Sequence, residues 1–269
     1  MLGVTARAAQ EMQLVVHCGM LDKTVPPNTV EAIKRAYDAG ATWVEADFHH
    51  TKAGQMICLH TEEVLKALTG CTRKIRELTP ADVAGLDLGV HFPSKKTYRI
   101  PLLSQVLAVV PKTAVFQAEI KGYSPTYADE FDREVKVAGL SETNIVVSSF
   151  RYDALKDFKA RYPKYRTMWL VDFKRPTSGR KFQIKKYVDQ CRTANVALFC
   201  PRCASTPDVL TPEDADVLRA AGVEVRVYGV NSPEELRQAK ALRATGFTTD
   251  SWYTISTWAD EVGDVSLRK

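Results

Sequence analysis

The chain has 269 residues, 45% of them hydrophobic and 26% charged, which is the composition of an ordinary globular protein with a large core. The length fits one or two domains, or a single α/β barrel. A net charge of +5, from 37 basic and 32 acidic residues, is too small to indicate nucleic acid as a partner. It mildly favours an anionic small-molecule substrate.

The sequence contains no apolar run close to the roughly 20 residues that a transmembrane helix requires. Its first ten residues lack the apolar centre of a signal peptide. We therefore expect a cytoplasmic location by default, and a periplasmic or secreted one if a targeting segment precedes this sequence. The six cysteines are irregularly spaced in a chain too large to need disulfides, so we expect free thiols.

The amino-terminal third predicts strands that end in polar residues. Residues 13–19 form an apolar run that delivers His17 at its carboxyl end. A helix follows, with Asn28 as its predicted N-cap and Gly40 after its last turn. Residues 43–51 form the next strand, and residues 55–60 form an extended segment that ends at His60.

The rest of the chain alternates between strands and helices. Residues 61–99 are irregular apart from a short helix capped by Thr79, and a helix is predicted at 101–110. Further strands are predicted at 114–122, 144–150, 166–173, 195–200, 224–231 and 246–250, and helices at 127–140, 152–162, 181–194, 211–221, 232–244 and near Trp258.

Eight apolar strands alternating with amphipathic helices predict a parallel sheet, and in a chain of this length they predict a TIM barrel. We expect a single domain over residues 1–269, with an irregular insertion after the second strand at about 61–99. The alternative is a doubly wound open sheet, which is disfavoured because no glycine-rich turn follows the first strand.

Polar residues collect at the predicted carboxyl ends of the strands, where barrels build their active sites. Glu45 and Asp47 lie two apart on one strand and therefore share a face, as do Glu119 and Lys121 on another. Adjacent buried carboxylates repel each other, so a cation between them is the simplest explanation. Carboxylates without thiolate favour Mg²⁺, Ca²⁺ or Mn²⁺ over zinc.

Two histidines, His17 and His60, flank this acidic cluster, and Asp250 ends the last strand. A base and an acid beside a divalent ion suit phosphodiester cleavage. The structural alternative is an ion pair between Glu45 and Lys121 without catalysis.

Neither of two other groups of residues is expected to take part in the chemistry. His49 and His50 are adjacent on a strand and therefore face opposite sides, so one of them is able to enter the mouth of the barrel, but neither stands at a spacing that favours a role. The basic run at 174–186 favours a solvated surface over a substrate guide.

With these residues placed, the chain resembles the glycerophosphodiester phosphodiesterase family from His17 to Asp250. The residues HCG at 17–19 are similar to its HRG, PPNT at 26–29 to its PENT, and GATWVEAD at 40–47 to its acidic strand signature. The family's HD falls on His60 and Thr61. Five more segments match in order: IPLLSQVL at 100–107, AEIKG at 118–122, SSFRYDAL at 148–155, VYGVN at 227–231 and GFTTD at 246–250.

This resemblance implies a TIM-barrel hydrolase that converts glycerophosphodiesters to glycerol 3-phosphate and an alcohol. It implies that one divalent cation is held by Glu45, Asp47 and Glu119. His17 and His60 would then act as general acid and base, and Lys121 would contact the phosphate. Attack by water and attack by a neighbouring substrate hydroxyl are both compatible with the resemblance.

The sequence departs from the family pattern around the substrate. Cys18 replaces the arginine after the first histidine, and a cysteine cannot grip phosphate with two charge-assisted hydrogen bonds. We assign Cys18 to the substrate-binding region as a small filler beside His17 in preference to a nucleophile. Arg151, Arg202 and the basic run from Lys174 are candidates for the missing contact.

Because these departures affect substrate-holding positions, two alternative functions stay open. One is a related phospholipase-D-like or phosphoinositide-type phosphodiesterase with the same fold and metal. The other is a barrel that binds a phosphodiester without cleaving it.

Overall fold

Parallel pairing organises the strands of the computed structural model, which describes residues 10–122, 126–173, 183–205 and 209–269. In chain order the strands of these ranges are β1 Gln10–Val16, β2 Trp43–His50, β3 Met56–Cys58, β4 Val115–Ile120, β5 Ile145–Ser149, β6 Arg166–Val171, β7 Leu198–Pro201, β8 Glu224–Val225, β9 Val227–Tyr228, β10 Gly246–Thr249 and β11 Val265–Arg268.

The sheet closes on itself. Its strand order is β8-β7-β6-β5-β4-β2-β1-β10-β9, and β8 and β9 are separated only by Arg226. The first and last strands of this order, β8 and β9, are therefore two halves of one interrupted strand, and this closes the barrel. Tyr228 in β9 also forms a β-bridge with Arg202, which follows β7. The predicted barrel is confirmed, and the doubly wound open sheet is excluded.

Helices follow most of the strands and cover the barrel. In the described residues they are α1 Val30–Asp38, α2 Glu62–Thr69, α3 Pro80–Gly85, α4 Leu103–Leu107, α5 Tyr127–Val137, α6 Tyr152–Arg161, α7 Ile184–Thr193, α8 Pro212–Ala220, α9 Pro233–Ala241 and α10 Ile255–Val262. The predicted elements are present, although α4 is shorter than expected. The beginning of the helix predicted from Lys181 lies outside the described residues.

The predicted N-cap of the first helix is wrong. Thr29, not Asn28, precedes α1, and its hydroxyl accepts a hydrogen bond from the backbone N–H of Ala32. Asn28 instead has a left-handed backbone with φ of 59°. Both residue types are good N-caps, so composition alone could not choose between them. The shift by one position frees the Asn28 side chain to face the barrel.

The segment after β3 contains more structure than predicted. Thr61 caps α2, which the sequence pattern missed, and Thr79 caps α3 with a reciprocal capping box as expected. Apolar residues of β3 and of this segment form a satellite cluster that is separate from the main core. The buried members of the satellite cluster are Ile57, Leu59, Leu65, Ile75, Leu78, Val83, Leu88, Tyr98 and Ile100.

Strand β11, also missed, pairs in parallel with β1, with Gln10 opposite Val265 and Gln13 opposite Arg268. No disulfide joins the cysteines of the described residues, so the expectation of thiols is confirmed. Among the same residues, no helix combines the length and apolar character needed to cross a membrane.

Candidate active site

The acidic residues of β2 and β4 meet because of strand register. Asp47 pairs directly with Glu119, and Glu45 with Gln117, so the three carboxylates fall on adjacent positions at the carboxyl end of the barrel. One oxygen of each lies within 4.8 Å of the others. All three residues are buried. The pattern predicted from the sequence is therefore one compact cluster.

Lys121 lies directly against this cluster. Its Nζ is 2.9 Å from Asp47 Oδ1 and 2.8 Å from Glu119 Oε1. Burial opposes the charge of the ammonium, but the two carboxylates raise the pKa of Lys121 above its ordinary value, so the side chain is cationic. Lys121 therefore pairs with Asp47 and Glu119, and not with Glu45 as in the alternative ion pair.

One lysine does not balance three buried carboxylates. Burial and the charge of Asp47 raise the pKa of Glu45 to about 8, and the same two causes raise that of Glu119 to about 7. Glu45 Oε1 is buried and has no hydrogen-bond partner among the described residues. Buried polar atoms in native proteins are usually satisfied, so an orphan oxygen in an acidic cluster fits a cation ligand.

His17 is oriented by a carboxylate behind it. Its Nδ1 lies 2.7 Å from Asp250 Oδ1, and the other oxygen of Asp250 accepts a hydrogen bond from Asn231 Nδ2 at 2.9 Å. An ionised carboxylate only accepts, so Nδ1 carries the proton and Nε2 faces the cluster, 3.9 Å from Glu45 Oε2. Although burial opposes protonation, Asp250 and Glu45 raise the pKa of His17 to about 10.

His60 faces His17 across the mouth of the barrel. Their ring centroids are 5.4 Å apart in an edge-to-face arrangement. Burial, helped by the positive charges of Lys121 and His17, lowers the pKa of His60 despite the nearby Asp47. The two imidazoles therefore favour opposite protonation states.

The HCG turn after β1 explains how Cys18 enters the site. Cys18 and Gly19 both have left-handed backbones, with φ of 53° and 66°. A Cβ at Gly19 would lie 2.8 Å from the backbone N of Ile33, so the turn excludes a larger residue. The turn aims the backbone N–H of Cys18 at Glu45 Oε2, 3.0 Å away, and its thiol at Asp47 Oδ2, 3.1 Å away.

Cys18 is buried, and burial together with the charges of Asp47 and Glu45 raises its thiol pKa well above the ordinary value. In this state it is an unreactive thiol that donates a hydrogen bond, in line with a filler beside His17 and not with a nucleophile.

Sequence reasoning missed the site role of Asn28, and it noted the pair His49 and His50 without choosing His49. Asn28 Nδ2 donates to Asp47 Oδ2 at 2.8 Å, and Asn28 Oδ1 accepts from the Asp47 backbone N–H at 3.0 Å, so one amide fixes the aspartate twice. His49 Nε2 lies 3.1 Å from the carbonyl oxygen of His60. The strand alternation that joins Glu45 and Asp47 also includes His49, and this signal could have identified it.

The two candidates for the missing arginine contact that lie in the described residues, Arg151 and Arg202, pair with carboxylates outside the acidic cluster. Arg151 pairs with Asp153. Arg202 pairs with Asp172 and lies over the Tyr228 ring, with 5.5 Å from Cζ to the ring centroid. Residues 174–182 of the basic run lie outside the described residues. Lys121 is the cation that directly contacts the acidic cluster in the described part of the chain.

A cavity lies beside Asp250, on the side of the carboxylate that orients His17. Its volume is about 520 Å³, and its lining includes Met20, Leu21 and Tyr253 together with Asp250 and Asn231. The cavity therefore joins the carboxylate behind His17 to a partly apolar wall, and it has room for a group larger than the reacting phosphate.

Sequence comparisons with known proteins identify the family of this chain. Residues 20–254 match the family model of the glycerophosphoryl diester phosphodiesterase family. A glycerophosphodiester phosphodiesterase of Caldanaerobacter subterraneus is 31% identical over 146 residues, which cover 52% of this chain and 59% of that protein.

Solved structures share the fold. A candidate glycerophosphoryl diester phosphodiesterase from Silicibacter pomeroyi has a TM-score of 0.79 at 20% identity and covers 96% of both chains. A phosphodiesterase of Oleispira antarctica, solved with its product sn-glycerol-3-phosphate, has a TM-score of 0.74 at 19% identity and covers 92% of this chain and 96% of its own. At these identities the likeness shows the TIM-barrel fold.

Proposed function

The chain belongs to the glycerophosphoryl diester phosphodiesterase family, a family of phosphoric diester hydrolases, and we propose that it hydrolyses glycerophosphodiesters to glycerol 3-phosphate and an alcohol. The observation that carries the proposal is the meeting of His17 and His60, with opposed pKa shifts, beside three buried carboxylates. The product bound to the Oleispira antarctica phosphodiesterase supports the same reaction here.

The proposed cofactor is one divalent cation held by Glu45, Asp47 and Glu119. Three carboxylates with an orphan oxygen on Glu45 form a hard donor set that suits Mg²⁺, Ca²⁺ or Mn²⁺. When bound, such a cation polarises the phosphoryl oxygens and offsets the charge that develops on them. Lys121 lies close enough to this cluster to contact an oxygen of the same phosphate.

The pKa shifts assign the two histidines in the proposed mechanism. His17, held protonated by Asp250, donates the Nε2 proton to the departing alkoxide. His60, with its lowered pKa, is neutral and accepts a proton from the attacking hydroxyl, whether this belongs to water or to the substrate. Titratable pairs whose environments separate their pKa values are a common basis for such roles.

The cavity beside Asp250 is the proposed site for the alcohol part of the substrate. Met20, Leu21 and Tyr253 offer apolar contacts to it. Cys18 replaces a charged phosphate contact by a neutral one, so we expect affinity for the phosphate itself to be low and recognition to depend more on the alcohol.

The test is a panel of soluble glycerophosphodiesters and lysophospholipids, assayed with Mg²⁺, Ca²⁺ and Mn²⁺ singly and with chelator. We expect glycerol 3-phosphate release that chelator abolishes, and a loss of about 10²- to 10⁴-fold in kcat/KM for His17→Ala and for His60→Ala. His50→Ala is the matched control, because His50 faces Glu130 outside the cluster.

Full activity in chelator, or equal loss in the His50→Ala control, would contradict the proposal. Turnover confined to lysophospholipids would favour the phospholipase-D-like alternative, and tight diester binding without any product would favour the binding protein.

A further inference from the structure

The HCG turn gives the mouth of this barrel a second donor set, distinct from the three carboxylates. We propose that His17, Cys18, Asp47 and His60 form a site for a divalent cation softer than Mg²⁺ or Ca²⁺. This cation is Zn²⁺, or Co²⁺ when no Zn²⁺ is present. A cation bound there would occupy both histidines and so inhibit hydrolysis. This inhibitory role rests on the proposed hydrolase function, whereas the existence of the binding site does not.

The geometry of the four side chains fits a tetrahedral site. One donor atom from each lies within 4.8 Å of the others. Zinc bonds of about 2.0–2.3 Å place tetrahedral ligands roughly 3.3–3.8 Å apart, so donor pairs near the 4.8 Å limit need to approach by about 1 Å, whereas Cys18 Sγ and Asp47 Oδ2 are already 3.1 Å apart. Two imidazoles, one thiolate and one carboxylate are typical zinc ligands, whereas Mg²⁺ and Ca²⁺ prefer oxygen alone.

The surroundings of His17 orient it as a ligand. Metal-binding histidines usually donate their second ring N–H to a carboxylate. His17 does this toward Asp250, which is itself held by Asn231, and the arrangement leaves Nε2 directed at the shared hollow. The orientation is fixed by groups that do not belong to the donor set.

Cys18 is the residue that changes the chemistry. At this position the family resemblance places an arginine, which repels cations, and this chain has a thiol aimed at Asp47 Oδ2. Binding replaces that S–H···O hydrogen bond by a metal–thiolate bond, and the thiol proton and the Nε2 proton of His17 both leave to solvent. A coordinating cation stabilises the thiolate that the carboxylates otherwise disfavour.

Asp47 connects the two donor sets. Its Oδ1 faces Lys121 and the oxygen cluster, whereas its Oδ2 faces Cys18 and Asn28. The carboxylate can therefore offer one oxygen to each site. A cation in the second site also occupies both histidines, so Zn²⁺ is expected to suppress the hydrolysis that Mg²⁺ supports.

The test uses the full chain after chelator treatment and dialysis. Titration with Co²⁺ is expected to produce a near-ultraviolet thiolate-to-cobalt charge-transfer band, which Zn²⁺ displaces and Mg²⁺ does not. Cys18→Ser is expected to lose the band and to weaken Zn²⁺ binding, measured by calorimetry, by about 100-fold. Cys58→Ser is the matched control, since Cys58 is equally buried and contacts Asn28 but lies outside the donor set.

A wild-type protein without the band, or a band of equal intensity in Cys18→Ser, overturns the site. Circular dichroism checks that the Cys18→Ser protein is folded. His60→Ala supplies a second readout that keeps the thiol, and its Co²⁺ affinity is expected to fall by about tenfold or more. Unchanged affinity in that variant also overturns the site.

The two proposals fail separately. Hydrolysis with Mg²⁺ alone, without a cobalt band, supports the proposed function and rejects the second site. A cobalt band in a protein that hydrolyses no diester supports the second site and rejects the function.

Discussion

The two ends of the barrel both bury charged side chains, but they balance them differently. At the amino end, Arg226 pairs with Glu224 at 3.2 Å and lies over the Trp43 ring at 4.2 Å, and Arg166 pairs with the second oxygen of Glu224 at 2.9 Å. At the carboxyl end, Glu45, Asp47, Glu119 and Asp250 face two cations, Lys121 and the protonated His17. Two guanidiniums thus share one carboxylate at the amino end, whereas carboxylates are in surplus at the other end, and this acidic surplus in a buried mouth marks the functional site.

This comparison also explains why burial of charge is not by itself a sign of function. Arg226 is among the most buried charged residues of the described chain, and Gly246 leaves the space that its guanidinium fills. Both guanidiniums at this end pair with the carboxylate of Glu224. At the other end, Glu45 Oε1 has no hydrogen-bond partner in the part of the chain that the structure describes, which leaves it available to a cation.

The largest effect is expected from a substitution that breaks the ion-pair network at the amino end. Arg226→Met removes a buried guanidinium together with its hydrogen bond to the Gln13 carbonyl and its contact with the Trp43 ring, while Glu224 keeps Arg166, so we expect a loss of about 1.5–3 kcal/mol in the free energy of unfolding. Urea unfolding measures this loss. Arg166→Met, at a half-exposed position, is the control and should cost about 1 kcal/mol or less. Hydrolytic activity per folded molecule should be unchanged in both variants, and a selective loss of activity in Arg226→Met would show that the two ends are not independent.

The next largest effect concerns how precisely Asp47 is positioned in the carboxyl-end cluster. Asn28→Ala removes both hydrogen bonds that fix Asp47, and supporting residues of this kind typically contribute about 10- to 100-fold to metal affinity. Calorimetric titration with Mn²⁺ or Mg²⁺ measures the change. Cys58→Ser, which changes a second donor to Asn28 Oδ1 but keeps both hydrogen bonds between Asn28 and Asp47, serves as the comparison. Equal affinity in Asn28→Ala and wild type would contradict a positioning role.

The smallest effect concerns the surplus charge itself. Because the pKa of Glu45 in the folded protein is about 8, the folded state keeps a proton that the unfolded chain releases near its ordinary pKa. The metal-free protein should therefore lose stability as pH rises from about 5 to 8. Glu45→Gln should remove part of this dependence, on the order of 1–2 kcal/mol at pH 8.

Thermal unfolding at several pH values in chelator checks the prediction for Glu45, and the added divalent cation should flatten the wild-type profile in the same way. A wild-type protein that gains stability over this pH range would contradict the proposed charge surplus.

Sequence patterns predicted the barrel and the membership of the acidic cluster because both depend on strong local signals. An apolar run that ends in His17, and carboxylates two apart at Glu45 and Asp47, place side chains on a known edge and face once the strands are parallel. The direct pairing of Asp47 with Glu119 required register, which depends on contacts between strands and not on either sequence alone.

Other features could not be predicted for identifiable reasons. The choice between Asn28 and Thr29 as the helix cap depends on which side chain Asp47 recruits, and this is a tertiary contact. Helix α2 has only eight residues, so its apolar positions span about two turns and give a weak periodic signal. The opposed pKa shifts of His17 and His60 arise from burial and from Asp250, which is distant in the chain.

The pairing of β11 with β1 has a consequence for the order of folding. Gln13 exchanges side-chain hydrogen bonds with Arg268, 255 positions away, and β1 also pairs with β10. Contacts this remote in sequence carry a high loop-closure entropy and form late. During synthesis, β1 cannot form either of these pairings until residues 246–268 have emerged, so the ring can close only after nearly all of this sequence has been made.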